Sequence, residues 1–265
     1  MKNLIPHFIQ DQLLAGRSKG RIQAYTMFID LSGFTPLTES LMRKGSRGAE
    51  QLSNILNEIF EPLVSLVYAR GGFIPYFAGD AFTAIFPADG SRITPLDFLQ
   101  TAQMIRNLFA KREFRFGDFP IGMKIGLSYG RVQWGLVGDE YQSYYFRGAP
   151  IDNCAQSQMR ASDEDILFDQ SLLNLIDPFP YDYSKVEKGF YRLTENILAG
   201  GARVSPPEIP SLQEEVLRRF LPPAVINYDQ EGEFRTVITI FLSFHGVEKH
   251  DLLDQLSTVV LNQIN

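Results

Sequence analysis

The sequence predicts an α+β domain of ferredoxin-like βαββαβ topology, a mixed, mostly antiparallel sheet with helices packed on it. Three observations predict it. An apolar run rich in β-branched and aromatic residues ends at Asp30, two more flank Gly79-Asp80, and a further pair of strand-like runs follows a third helical stripe. In chain order these give strand, helices, strand, strand, helix, strand.

Each element has a local reason. Residues 24–29 read as a buried strand, after which Thr35 caps a helix that carries Pro36 in its first turn and runs to about Arg43. Lys44-Gly45-Ser46 breaks it. The next helix, 48–69, carries Leu52, Ile55, Leu56, Ile59, Phe60, Leu63 and Val67 on one face, which is core spacing. Residues 71–82 read as a hairpin with Asp80 at its turn, ending at Phe86-Pro87. A helix over 95–111 follows, striped by Leu99, Ala102, Ile105, Leu108 and Phe109, and then two strands, 123–127 and 131–137. The first twenty residues, with Phe8, Ile9, Leu13 and Leu14, read as a lead-in helix.

Composition excludes several classes. With 265 residues and 45% hydrophobic content the chain buries one substantial core and an incomplete second unit. No apolar run reaches the roughly 20 residues of a membrane helix, and residues 1–6 lack a signal-peptide core, so the expectation is a soluble, cytoplasmic protein without a membrane partner. A net charge of −6 without a basic tract argues against nucleic acid. Cys154 is the only cysteine and reads as a buried structural thiol, while the scattered His7, His245 and His250 argue against zinc.

The chemistry is concentrated at Asp30-Leu31-Ser32-Gly33-Phe34-Thr35. A strand that delivers an Asp to its end, followed at once by the N–H groups of a helix start, can hold a divalent cation and an anion side by side. If the Asp30 and Asp80 strands are neighbours, the two carboxylates share metal ions, and with phosphate oxygens they suit Mg²⁺. The plainer reading makes Asp30 a helix-capping residue and Asp80 an ordinary turn residue. The flanking pattern favours the metal.

The spaced motifs Phe28-x-Asp30-x-x-Gly33-Phe34-Thr35, Gly71-Gly72, Gly79-Asp80-Ala81, Ile125-Gly126-Leu127, Gly130-Arg131-Val132 and Gly135-Leu136-Val137-Gly138 resemble the class III adenylyl and guanylyl cyclase catalytic domain over about residues 22–193. The resemblance implies a nucleotidyl cyclase that turns ATP, with GTP possible, into the cyclic nucleotide and pyrophosphate. It implies two Mg²⁺ or Mn²⁺ ions on Asp30, Asp80 and the backbone carbonyl of Leu31. Ser32, Gly33, Phe34 and Thr35 would cradle the triphosphate, and Arg131 would touch it.

Departures from the family pattern are specific. Tyr76 stands where the purine-reading lysine is found, and Asp152 and Gln156 stand where homodimeric cyclases carry the asparagine and arginine that stabilise the transition state. Asn153 is one residue out of place. Metal groups kept and transition-state groups missing resemble the first catalytic half of the tandem soluble adenylyl cyclases, whose second half donates the rest. Ala155 replaces an arginine linked to bicarbonate, which argues against bicarbonate sensing.

The tail supports that view. Residues 236–246 repeat the pattern of 23–33, with Thr239, Phe241 and Gly246 over Thr26, Phe28 and Gly33, and Ser243 replacing Asp30. The expected organisation is a lead-in helix at 1–20, a cyclase-like domain at 21–194, a linker at 195–233 and the start of a second, truncated half at 234–265, its strand and helix additional to the first sheet. The partner half would then lie in a longer version of the chain or in another chain. A catalytically silent nucleotide-binding module that acts through pairing is the competing reading. A diguanylate cyclase is disfavoured by the missing Gly-Gly-Asp/Glu-Glu-Phe signature.

Overall fold

In the computed structural model, residues 5–90, 93–112, 115–116, 119–139, 141–176, 178–194, 214–222, 226, 252, 255 and 258–260 are described. The proposed repeat strand at 236–246 lies outside them. The elements are α1 (His7–Leu14), β1 (Lys19–Ser32), α2 (Phe34–Met42), α3 (Ser46–Ala69), β2 (Phe73–Ala78), β3 (Ala81–Pro87), α4 (Pro95–Arg112), β4 (Arg115–Phe116), β5 (Phe119–Pro120), β6 (Gly122–Val137), β7 (Ser143–Arg147), α5 (Ala149–Met159), β8 (Ile166–Asp169), α6 (Gln170–Leu175), β9 (Tyr183–Glu187), β10 (Phe190–Leu193) and α7 (Glu214–Arg218).

The chain divides into two compact units, one of Arg21–Gln133 with Arg147–Glu208 and one of Met1–Gly20 with Trp134–Phe146 and Ile209–Asn265. The larger unit carries the sheet order β2-β3-β1-β6-β8-β10-β9. Its first four members are the ferredoxin-like set: β3 pairs antiparallel with both β1 and β2, and the chain reaches β2 through α3 and β6 through α4. Beyond them β8 joins β6 in parallel, and β10 and β9 close the edge antiparallel.

The core lies between one face of this sheet and the two long helices. Tyr25, Met27, Ile29 and Leu31 of β1 meet Ile59, Leu63 and Val67 of α3 and Phe98, Leu99, Ala102, Ile105 and Phe109 of α4 in one buried cluster. The expected stripes therefore supply core. Leu52, Ile55, Leu56, Phe60 and Leu108 pack on it half-buried.

Two local expectations need correction. The strands expected at 123–127 and 131–137 are one continuous 16-residue strand, β6, which passes through Gly130 at φ 153° without ending. Thr35 is not a helix cap: α2 already begins at Phe34, and its N-cap is Gly33 at φ 77°, with no side chain capping it. A tight turn off the strand end demands that left-handed glycine, and a Cβ there would lie 2.4 Å from the Pro120 carbonyl oxygen.

In the smaller unit α1 docks through Phe8, whose ring stands edge-on to Trp134 at 5.5 Å and tilted against Phe146 at 5.8 Å. Gly20 lies under the Trp134 indole, where a Cβ would come within 2.9 Å of Nε1.

Candidate active site

Asp30 is the residue of β1 paired with Ala81, and the following N–H, that of Leu31, donates to the Asp80 carbonyl at 3.2 Å. Gly79 and Asp80 form the two-residue turn closed by the Ala78–Ala81 pair. Gly79 has φ 66° while Asp80 is not among the positive-φ residues, which is the type II′ hairpin that follows strand twist. The turn thus holds Asp80 one residue from Asp30's cross-strand partner. The two carboxylates converge from positions 50 residues apart.

Their proximity shows in the electrostatics. The Asp30 carboxyl is held above the ordinary carboxylate range, first by burial and second by the charge of Asp80, while Lys124 and a hydrogen bond from Gln158 pull it back. Two acids share a half-buried site, and a cation would relieve both causes.

Side-chain alternation puts Thr26, Phe28, Asp30 and Ser32 on the face of β1 opposite the core. Helix α5 lies there. Thr26 Oγ1 donates to the Pro150 carbonyl at 2.8 Å, and Gly126 of β6 receives the middle of the helix, where a Cβ would meet the Cys154 carbonyl oxygen at 2.0 Å and the Gln158 nitrogen at 2.4 Å. No other residue allows that approach. From this seat buried Gln158 donates Nε2–H to Asp30 Oδ2 at 2.7 Å.

Two contacts fix how β6 lies against β1. Ser32 Oγ is 2.4 Å from where a Gly122 Cβ would stand, and Thr26 Oγ1 lies 3.5 Å from the Ser128 carbonyl oxygen. The strands run antiparallel with Ser32 beside Gly122 and Thr26 beside Ser128, so Asp30 faces Lys124. Arg131 falls seven residues further along β6, about 23 Å away on an extended strand, and is exposed. It sits at the start of α5, where a Cβ on Gly148 would come within 2.6 Å of its carbonyl oxygen. The cation whose charge acts on Asp30 is Lys124. The sequence reading missed it, although its even-numbered place with Gly122, Gly126 and Ser128 on one strand face was available as a signal.

The remaining expected residues fall as follows. Ser32 Oγ is buried with no hydrogen-bond partner among the described residues, and Gly33 and Thr35 are exposed at the uncapped N-terminus of α2, whose positive dipole end thus opens beside the two acids. Phe34 is turned into the core, so only its backbone can face a ligand. Tyr76 of β2 pairs with Thr83, which pairs with Phe28, putting the half-exposed Tyr76 on the Asp30 face about 12 Å away by strand spacing. Burial raises its phenol above the ordinary range, a hydrogen bond with Thr83 opposes this, and Cys154 and Asp152 add to it.

Helix α5 sorts the departures. Asp152 and Gln156 are exposed and four residues apart, on one outward side of the helix. Asn153 turns inward and donates Nδ2–H to the buried Asp169 carboxylate at 2.9 Å, which also accepts from Ser128 at 2.8 Å and Ser171 at 2.6 Å. Asn153 is thereby committed to the fold.

The donor set fits a hard divalent cation. Among the described residues no group of three or more His, Cys, Asp or Glu comes together, and two carboxylates are what Mg²⁺ needs when water and substrate phosphates fill its other positions. The orphaned Ser32 hydroxyl and the free N–H groups of α2 lie beside them for an anion.

Comparison with known proteins agrees with this geometry. The family model of the adenylate and guanylate cyclase catalytic domain matches residues 19–194. Among curated proteins, adenylate cyclase type 10 of Rattus norvegicus is 33% identical over 156 residues, 57% of this chain and 10% of the relative, and that of Homo sapiens is 28% identical over 236 residues, 87% and 13%. The chain therefore spans only 10–13% of the length of these relatives. Among solved structures, the adenylyl cyclase CyaB from P. aeruginosa shares the fold with a TM-score of 0.54 at 17% identity, over 69% of this chain and 99% of that one. By the match across its sheet, its Asp30 loop and its Asp80 hairpin, the chain belongs to the adenylate and guanylate cyclase catalytic domain family.

Proposed function

We propose that this domain converts ATP to cyclic AMP and pyrophosphate, with Asp30, Asp80 and the Leu31 carbonyl holding two Mg²⁺ or Mn²⁺ ions. The observation that carries the reading is the convergence of Asp30 and Asp80 beside the uncapped start of α2. Bound divalent ions supply a lowered pKa at the ribose 3′-hydroxyl and neutralise phosphate charge. The O3′–Pα bond forms as the bond from Pα to the β-phosphate oxygen breaks.

The chain's own groups bind and orient. The N–H groups at the start of α2 and the Ser32 hydroxyl receive the triphosphate, and Lys124 adds a cation beside the acids. Tyr76, on the same face, offers a ring edge or hydroxyl to the base; GTP is the alternative substrate. The exposed Asp152 and Gln156 cannot stabilise a phosphorane as an amide donor and a guanidinium would, so a partner half supplies those groups. No described helix is long and apolar enough to cross a membrane, and we place the domain in the cytoplasm, where ATP is available.

The test is a cyclic nucleotide assay with Mn²⁺ and either ATP or GTP, on the chain alone and with a cyclase half that carries the Asn and Arg. ATP turnover that appears or rises strongly on mixing supports the reading. No turnover in the mixture, with nucleotide still bound, favours the silent pairing module.

A further inference from the structure

We infer that Gln158 is a positioning residue for the cation site, an inference that rests on Asp30 being a metal ligand. Its amide is the one neutral donor found on that carboxylate among the described residues, at 2.7 Å and from a side chain 7% exposed. Only the NH₂ side of the amide can satisfy a carboxylate, which settles its orientation.

The donor is held rigidly from behind. Helix α5 is fixed at its start by Thr26 on the Pro150 carbonyl, at mid-length by Asn153 on Asp169, and beneath by Gly126, against which the Cys154 carbonyl and Gln158 nitrogen rest. Ser157, beside Gln158, donates to the Asn153 carbonyl at 3.0 Å and is fully buried. Gln158 therefore cannot follow Asp30 if the carboxylate swings. The carboxylate must hold its orientation instead.

Two consequences follow for a bound cation. With Oδ2 tethered to α5, Oδ1 remains the oxygen free of that bond and available with Asp80. A neutral amide also orients the carboxylate without cancelling its charge, as a guanidinium at the same place would. The tether links helix α5, which carries the outward Asp152 and Gln156, to the metal ligand on β1.

The test uses the whole chain and Mn²⁺ alone, followed by electron paramagnetic resonance, in wild type, Gln158→Met, Ser157→Ala and Asp30→Ala. Gln158→Met keeps the buried volume and removes the donor. Its Mn²⁺ affinity is expected to fall about 10- to 100-fold, the usual effect of removing a hydrogen bond to a ligand. Ser157→Ala, which loosens the same helical turn without touching Asp30, is expected to lower the melting temperature and leave Mn²⁺ affinity unchanged. Unchanged or tighter binding in Gln158→Met, with Asp30→Ala still losing the ion, overturns the positioning role alone. An equal loss in Ser157→Ala also overturns it, since helix stability would then be the cause. Binding that Asp30→Ala leaves intact overturns the metal reading beneath it as well.

Discussion

Lys124 stands beside Asp30, one strand over, and draws that carboxylate back toward its ordinary ionisation while burial and Asp80 push the other way. The pairing follows from the antiparallel run of β6 against β1, which also places Arg131 seven residues further along the strand. Removing Lys124 should therefore matter to an anionic ligand, and removing Arg131 should not. Lys124→Met is expected to weaken Mn²⁺-ATP binding about 10- to 100-fold, the worth of one hydrogen bond to a charged group, with Arg131→Met near wild type. Isothermal titration of both variants checks this.

Metal-free protein carries an electrostatic cost at the same place. Asp30's carboxyl is raised in the folded state, so its protonated form favours folding: that stability is full below the ordinary carboxylate pKa and is lost as pH rises through the folded value. At neutral pH the ionised pair is a liability. Asp30→Asn, melted in excess EDTA at pH 7, should be more stable than wild type, and the difference should vanish on acidification below the ordinary carboxylate range. Thermal scans across pH measure it.

Gly126 is where the fold makes room for the site. An alanine there would bring its Cβ to 2.0 Å from the Cys154 carbonyl oxygen, and neither the strand nor the helix backbone can give way cheaply. Gly126→Ala is expected to cost about 1–3 kcal/mol in a denaturant titration, the range for overpacked sites, and to break the Gln158–Asp30 bond by lifting α5.

Cys154 is fully buried on the same helix, its thiol pushed up to about 12 by burial. Native protein at pH 8 should resist iodoacetamide, and unfolded protein should label fully. Mass spectrometry of the two samples reads the difference.

These residues also show which parts of the site a sequence discloses. The neighbouring placement of Asp30 and Asp80 is legible because each ends an apolar run at a turn, and the stripes on α3 and α4 are legible because helical spacing repeats. The Lys124–Arg131 distinction was not, because both flank one glycine-punctuated run and only strand register tells which end meets Asp30. Gln158 was hidden for a related reason: the bond spans 128 residues and depends on a glycine that admits a helix backbone. Gly33 rather than Thr35 caps α2 because backbone conformation at the strand end, not side-chain capping, starts that helix.

The central claim is that Asp30 and Asp80 bind a common cation. Anomalous scattering from a crystal soaked in Mn²⁺ with a non-hydrolysable ATP analogue tests it most directly. The account predicts a manganese peak within about 2.5 Å of an oxygen of each carboxylate, near the coordination distance of such ions. A peak that touches only one of them, or lies elsewhere in the chain, would contradict it.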